Sequence, residues 1–354
     1  MNGIVRNSNT GLYITVLLFA TLLACRHEHL PSLSTGGRDY DATILVADTA
    51  GLAAGRIDSN LANPWGMAIS TKGSIWISCN HSGRTVIYDA TGKQTLAPVA
   101  IPLRSIQFGA SPTGAVYNTT SGFIANGAPE KFMYATEDGI IAGWNGGDST
   151  YTVVDRSAQK AVYKGIAIAN DSTGNFLYAT DFFNNRIDVF DASFHYISSR
   201  QLVDATIPAG FAPFNICNIG GKLFVTYAKQ IPPDNHDDQR GAGNGYIDIF
   251  NPNGTFIKRF ATQGALNSPW GIARASADFG QGEGAILVAN FGDGTTLIFD
   301  SSGDYKGPLE NNGVPLFIDG VWDIAFAPSS ATQLYFTAGP SQETYGLFGY
   351  MRLK

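Results

Sequence analysis

From residue 42 onward, apolar runs of four to eight residues alternate with clusters of Gly, Asn, Asp and Ser. No stretch carries a convincing 3.6-residue period, so the pattern predicts strands and tight turns rather than helices. The runs recur as a motif: Asn63-Pro-Trp-Gly-Met-Ala-Ile, Ser111-Pro-Thr-Gly-Ala-Val, Tyr163-Lys-Gly-Ile-Ala-Ile, Ala212-Pro-Phe-Asn-Ile, Ser268-Pro-Trp-Gly-Ile-Ala and Gly320-Val-Trp-Asp-Ile-Ala. Aligning Gly66, Gly114, Gly165, Asn215, Gly271 and Asp323 gives steps of 48, 51, 50, 56 and 52 residues.

Each motif precedes a second strand (75–80, 132–138, 176–182, 223–228, 285–291, 334–339) and a third (85–92, 140–147, 186–193, 246–254, 295–303, 347–351). A fourth follows in most repeats, for example TLAPVAI, YTVVD, HYISSRQLV and TFIKRFA. Four short strands in about fifty residues, repeated radially, predict an all-β, six-bladed β-propeller over residues 41–354. A β-helix would have a much shorter repeat. The last repeat ends after three strands, and the run 42–47 has no blade of its own. The N-terminal strand is therefore expected to pair with the last blade and close the ring, which removes an open sheet edge.

The apolar run Gly11–Ala24 follows Arg6 and is short for a membrane span. It ends in Leu22-Leu23-Ala24-Cys25, which resembles the lipobox of bacterial lipoproteins. Residues 1–24 are expected to be a signal peptide, Cys25 the lipidated residue and residues 25–40 a tether. A plain signal peptide with a coincidental cysteine is the competing reading. By resemblance to lipoprotein sorting, Arg26 after the cysteine favours the outer membrane of an exported, envelope-anchored protein.

Composition narrows the function classes. The 354 residues include 41 Gly, only 15% are charged, and the net charge is −6, which argues against nucleic acid as a partner. Cys79 and Cys217 fall three blades apart and are expected to stay unpaired. With five His in all, only His81 and His236 can share one face, so a three-His zinc site is excluded. HExxH, CxxC, P-loop and GxSxG motifs are absent.

In a propeller, loops from strand four to the next strand one and from strand two to three share one face. That face is expected to carry the ligand site, with Asn63, His81, Glu137, Asp138, Lys164, Asp181, Asn215 and Asp293 as candidates. Asn215 and Asp323 break the glycine column, and their oxygens could hold a hard cation such as Ca²⁺; a water-filled channel is the simpler alternative. Trp65, Trp270, Trp322 and Phe214 share one column and are expected to pack between blades. Asp181, Asp293 and the Glu137-Asp138 pair also suit plain turn chemistry. The loop Asp234-Asn-His-Asp-Asp238 suits a solvated segment better than a metal clip or lid.

The repeats resemble the NHL-like class of six-bladed propellers. Asn63-Pro-Trp-Gly, Ala135-Thr-Glu-Asp-Gly, Leu177-Tyr-Ala-Thr-Asp-Phe, Leu266-Asn-Ser-Pro-Trp-Gly and Asn290-Phe-Gly-Asp-Gly resemble an uncharacterised family of exported bacterial proteins, in which Gly is expected at the position of Asp323. The resemblance implies a fold and no established activity. Related propellers include Ca²⁺-dependent lactonases and metal-dependent lyases that use Glu, Asn and Asp at the channel mouth, where Asn215 would fit. The reading is a monomeric, lipid-anchored scaffold that binds a small molecule or protein on one face and meets the membrane only through its anchor. The alternative is a Ca²⁺-dependent hydrolase, lactonase or lyase at the mouth of the channel.

Overall fold

A computed structural model describes residues 38–102, 110–282 and 284–354. The expected signal peptide, Cys25 and all but the last three residues of the expected tether lie outside the described residues. Among those described, no helix is long and apolar enough to cross a membrane.

Six blades surround one axis. Blade one is built from Pro64–Ile69, Ile75–Cys79, Arg84–Tyr88 and Gln94–Ala100. Blade two is Pro112–Tyr117, Phe132–Thr136, Ile140–Trp144 and Tyr151–Asp155. Blade four is Phe211–Ile219, Lys222–Lys229, Gly245–Phe250 and Phe256–Thr262. Blade five is Pro269–Arg274, Ile286–Asn290, Thr296–Phe299 and Tyr305–Pro308. Neighbouring strands within each blade are antiparallel, and Asp-x-Ser/Thr turns close many hairpins. Asp89, Asp191 and Asp300, for instance, each accept the backbone N–H two residues on, the local bond that makes Asp a turn former.

Ring closure follows the sequence. Val321–Ala327, Ser330–Ala338 and Leu347–Leu353 form the inner three strands of blade six, and Tyr40–Ala47 pairs antiparallel with the last of these, from Tyr40 opposite Leu353 to Ala47 opposite Leu347.

Blade three departs from expectation. It has only Tyr163–Asp171, Gly174–Asp181 and Arg186–Asp191; the segment HYISSRQLV makes a single bridge, Phe190 with Tyr196, instead of a fourth strand. Side chains take over the ladder's work. Arg200 is bonded to Asp171 and to the carbonyl of Pro252, and its guanidinium lies 3.7 Å from the Phe176 ring centre. Arg156 covers Tyr196 at 4.0 Å. Arg200 thus holds the segment by stacking and by hydrogen bonds, and Arg156 by stacking on Tyr196.

The glycine column is where blades touch at the axis. A Cβ at Gly66 would lie 2.6 Å from the Thr113 carbonyl oxygen, and one at Gly271 would lie 2.7 Å from that of Trp322. Both obstacles are backbone of the next blade, so the ring would have to dilate. Gly271→Ala is therefore expected to cost about 1–3 kcal/mol. Gly55→Ala, whose Cβ would meet its nearest neighbour at an ordinary 3.6 Å, should be close to neutral in the same thermal melt. Equal melting temperatures for the two variants would contradict this account of the column.

The two non-glycine positions are latches between blades. Asn215 donates from Nδ2 to the Trp270 carbonyl at 2.9 Å and accepts the Ile216 N–H at 2.8 Å. Asp323 accepts the Met67 N–H at 2.8 Å and the Ile324 N–H at 2.9 Å. An amide suits the first junction because the facing group is a carbonyl. A carboxylate suits the second because both facing groups are donors.

Above these latches lies an aromatic layer. Trp65 stacks on Trp322 with ring centres 3.6 Å apart, Phe291 stacks on the same Trp322 at 3.6 Å, and Trp270 meets both indoles edge-on. With Phe214 and Phe182 they form one buried cluster, so the tryptophan column packs between blades as its spacing predicts. Cys79 and Cys217 are both free thiols.

Candidate functional site

On one side of the aromatic layer is a polar recess whose wall includes Trp65, Asn80, His81, Glu137 and Glu343. On the other side is a separate funnel bounded by the inner strands, which includes Asn215 and Asp323. The two depressions share no lining residue.

The recess is organised around Lys164. Its side chain is 1% exposed, and Nζ sits 2.5 Å from Glu137 Oε1 and 3.6 Å from Asp237 Oδ1. The ammonium also lies 5.0 Å from the Trp65 ring centre. Lys164 is the second residue of its inner strand, immediately before Gly165, which puts it where the strand enters the axial layer. Glu137 stands in the turn between the second and third strands of blade two, and Asn80 of blade one donates to its other oxygen at 3.0 Å.

The loop 229–245 closes over this pair. It is pinned rather than merely solvated. Ile231 N–H bonds the Asp237 carbonyl at 2.9 Å, Gln230 donates to the Phe182 carbonyl at 2.6 Å, and Gly241 N–H bonds Asn267 Oδ1 at 2.7 Å. The loop delivers His236, whose Nδ1 is 3.0 Å from Asp237 Oδ1 and 3.9 Å from Glu137 Oε1. Asp238 and Arg240 line the recess from the same loop. Opposite them, Glu343 accepts from Asn63 Nδ2 at 2.9 Å and pairs with Arg240 at 3.5 Å. Asn63 Nδ2 also stands 3.3 Å from His81 Nε2.

These contacts set the charges. Burial opposes ionisation of Glu137, but Lys164 and His236 outweigh it and hold the carboxyl below its ordinary range. Burial likewise opposes the Lys164 ammonium, yet Glu137 and Asp237 hold its pKa above the usual value. The hydrogen bond to Asp237 raises the His236 imidazole despite partial burial. The same bond, working against burial and helped by Lys164, lowers Asp237 to about 2. Burial instead pushes Asp238 and Glu343 upward. The recess thus holds a locked ion pair, an Asp–His pair, and two carboxyls that take up a proton more readily than usual.

Of the candidates read from sequence, Asn63, His81, Glu137 and Lys164 meet in this recess. Asp138 lines an adjoining depression with Glu137 and His236. Asp181 turns inward: it accepts the Val162 N–H and the Asn184 side chain and pairs with Arg186. Asp293 caps its own turn by accepting the Thr295 N–H and hydroxyl. Asn215 and Asp323 do not join the recess. The aromatic layer separates them from it, because the inner strands run from one face to the other and carry these residues past the layer. The expected metal pair is therefore not part of the recess. His236, Asp237, Asp238, Arg240, Asn80 and Glu343 complete the site.

Glu137, His236 and Asp237 offer ligand atoms within 4.8 Å of one another. Calcium prefers six to eight oxygens. One imidazole and two carboxylates that already share the Lys164 ammonium do not fit that demand.

Fold and recess together define a six-bladed β-propeller with a charged pocket over its axial mouth. No family model matches the chain. Uncharacterized protein L690 of Acanthamoeba polyphaga mimivirus is 35% identical over 325 residues, covering 88% of this chain and 85% of that protein. The chain belongs to the same family as this viral protein. That relative is viral, so the comparison gives no support to the bacterial origin expected from the sequence motifs. Among solved structures, a putative gluconolactonase superposes with a TM-score of 0.54 at 13% identity, covering 90% of this chain and 93% of that one. The virginiamycin B lyase of Staphylococcus aureus gives 0.51 at 12% identity, covering 90% of this chain and all (100%) of that one. At such identities the likeness is one of fold.

Proposed function

We propose that the chain binds a polar small molecule in the recess and performs proton-transfer chemistry on it, as a hydrolase or lyase, rather than serving as a passive scaffold. The carrying observation is the Asp237–His236 pair poised over the buried Lys164–Glu137 ion pair. A carboxylate on Nδ1 fixes the imidazole's orientation and leaves Nε2 to exchange a proton with a bound molecule. The aromatic floor and the fixed ion pair beneath supply a low-dielectric, pre-oriented setting for that exchange. Neighbouring propeller folds include a gluconolactonase and a lyase, which supports this class of chemistry by analogy alone. Export and lipidation at Cys25 are part of the proposal and would place the recess in the envelope.

The test is a panel of aldonolactones, aryl esters and cyclic depsipeptides. Proton release reports hydrolysis, and ultraviolet absorbance of a new conjugated double bond reports elimination. Turnover of one class is expected, falling by about 10²–10⁴-fold in His236→Ala with the melting temperature nearly unchanged. EDTA should leave the rate intact. His236→Ala turning over as fast as the parent chain would sink the reading.

A further inference from the structure

The funnel on the opposite face is a second binding site, and we propose that it takes an organic ammonium ion carried on a compact apolar body. This rests on different residues from the recess and stands whether or not the recess is catalytic. The funnel has a volume of about 750 Å³ and opens among the turns between first and second strands. Ile69, Val116, Ile168, Ile219 and Phe326, each half-buried, line it from five blades, and Thr71, Asn170 and Asn218 are also in its wall. Asp323 lies in the same lining, half-buried, close to the axis.

The latch between blades six and one accounts for two acceptors on Asp323, one for Met67 N–H and one for Ile324 N–H. It leaves the negative charge itself unmatched. Among the described residues, no Lys, Arg or His pairs with this carboxylate, and the one cationic side chain of the funnel lining, Arg274, stands at the outer end of its strand. Each carboxylate oxygen keeps capacity for a further donor. A half-buried charge is felt more strongly than one in open water, so a cation gains there what a neutral or anionic molecule cannot. Burial also pushes the Asp323 carboxyl up to about 7, as expected of a group that lacks a counter-ion. An apolar body then buries area against Val116, Ile168 and Phe326, which keep exposed surface, while its ammonium donates to the carboxylate.

One body with three head groups isolates the charge: 1-adamantylammonium, 1-adamantanol and 1-adamantanecarboxylate, titrated calorimetrically into the full chain. At about pH 8 the ammonium is expected to bind about tenfold or more tighter than the alcohol, and the carboxylate not measurably. The preference should shrink at about pH 5.5, where Asp323 takes up its proton. Cys217, which also lines the funnel, stays protonated throughout, because burial pushes its thiol up to about 12. Asp323→Asn should erase the preference. Because that variant also disturbs the latch, Val116→Lys, on the half-buried wall of blade two, provides an independent arm and should weaken the ammonium about tenfold. Equal affinity for alcohol and ammonium, no ammonium binding at all, or unchanged ammonium affinity in Val116→Lys would each overturn the proposal.

Discussion

Lys164→Met is expected to destabilise the ring by about 3–5 kcal/mol, the cost of removing one partner from a buried ion pair. Methionine matches the length of the lysine stem and keeps its contact with Trp65 and Phe182, so the loss falls on the charge. Glu137 would be left with the Asn80 amide, a distant His236 and a like-charged Asp237 nearby. The double variant Lys164→Met/Glu137→Gln removes the orphaned charge and should recover most of the deficit, since replacing both members of such a pair is far milder than replacing one. Identical stability of single and double variants would show that the pair is not what Lys164 contributes.

The pH dependence gives the same test a second readout. In the parent chain Glu137 is held below its ordinary range, so its contribution is present above about pH 4.5 and is lost as pH falls through the lowered value. Without Lys164, burial dominates and the carboxyl moves up. Stability should then rise, not fall, as the solution is acidified into the range where Glu137 protonates. His236 adds a term of its own. Its pKa is raised, so its pairing with Asp237 is fully present below about pH 6.5 and fades as pH climbs through the folded value. Chemical denaturation of both chains across this range separates the two contributions.

The fold was legible because a propeller repeats its local chemistry. Each inner strand needs a small residue where blades converge, each hairpin needs a turn former, and both needs return every fifty residues. Blade three shows the limit of that argument. HYISSRQLV has strand-like composition, but its ladder stops after the bonds around Tyr196, and Arg200 then holds the segment through a carboxylate, a carbonyl and an aromatic face. The site was only partly legible for a related reason. Face assignment correctly brought Asn63, His81, Glu137 and Lys164 together, because it depends only on which loops share a face. It failed for Asn215 and Asp323, because depth along a strand decides which side of the aromatic layer a residue reaches, and the repeat alone carries no depth. Asp181 and Asp293 are acids doing the ordinary work of turns. The missed group, His236 with Asp237 and Asp238, did leave a signal. The step of 56 residues is the longest of the five, and its excess lies in a loop carrying a histidine and several acids on the candidate face.

Removing residues 1–47 is expected to abolish cooperative folding, the largest effect anticipated for this chain. The deleted strand supplies Tyr40, Val46 and Ala47 to the core, all fully buried. Burial of a side chain such as Val46 is worth roughly 1.5–3 kcal/mol, and Tyr40 adds a larger ring. Tyr40 also anchors its end of the strand by donating to the Phe279 carbonyl at 2.8 Å and accepting from Gln281. Losing these groups together removes a large part of the 5–15 kcal/mol that typically separates folded from unfolded domains. The deletion further strips the partner from Leu347–Leu353 and leaves that strand as an open edge, ready to pair with another chain. Tyr40→Ala tests packing without opening the edge and should cost about 3–5 kcal/mol by analogy with other buried aromatics. A synthetic peptide spanning residues 38–48 tests the edge directly, because it should bind the truncated ring and restore a cooperative melt. A truncated chain that melts at the parent temperature, as a monomer, would mean that three strands suffice for the last blade and that the ring is held shut at the axis, by the Asp323 latch and the stacked indoles, rather than at its rim.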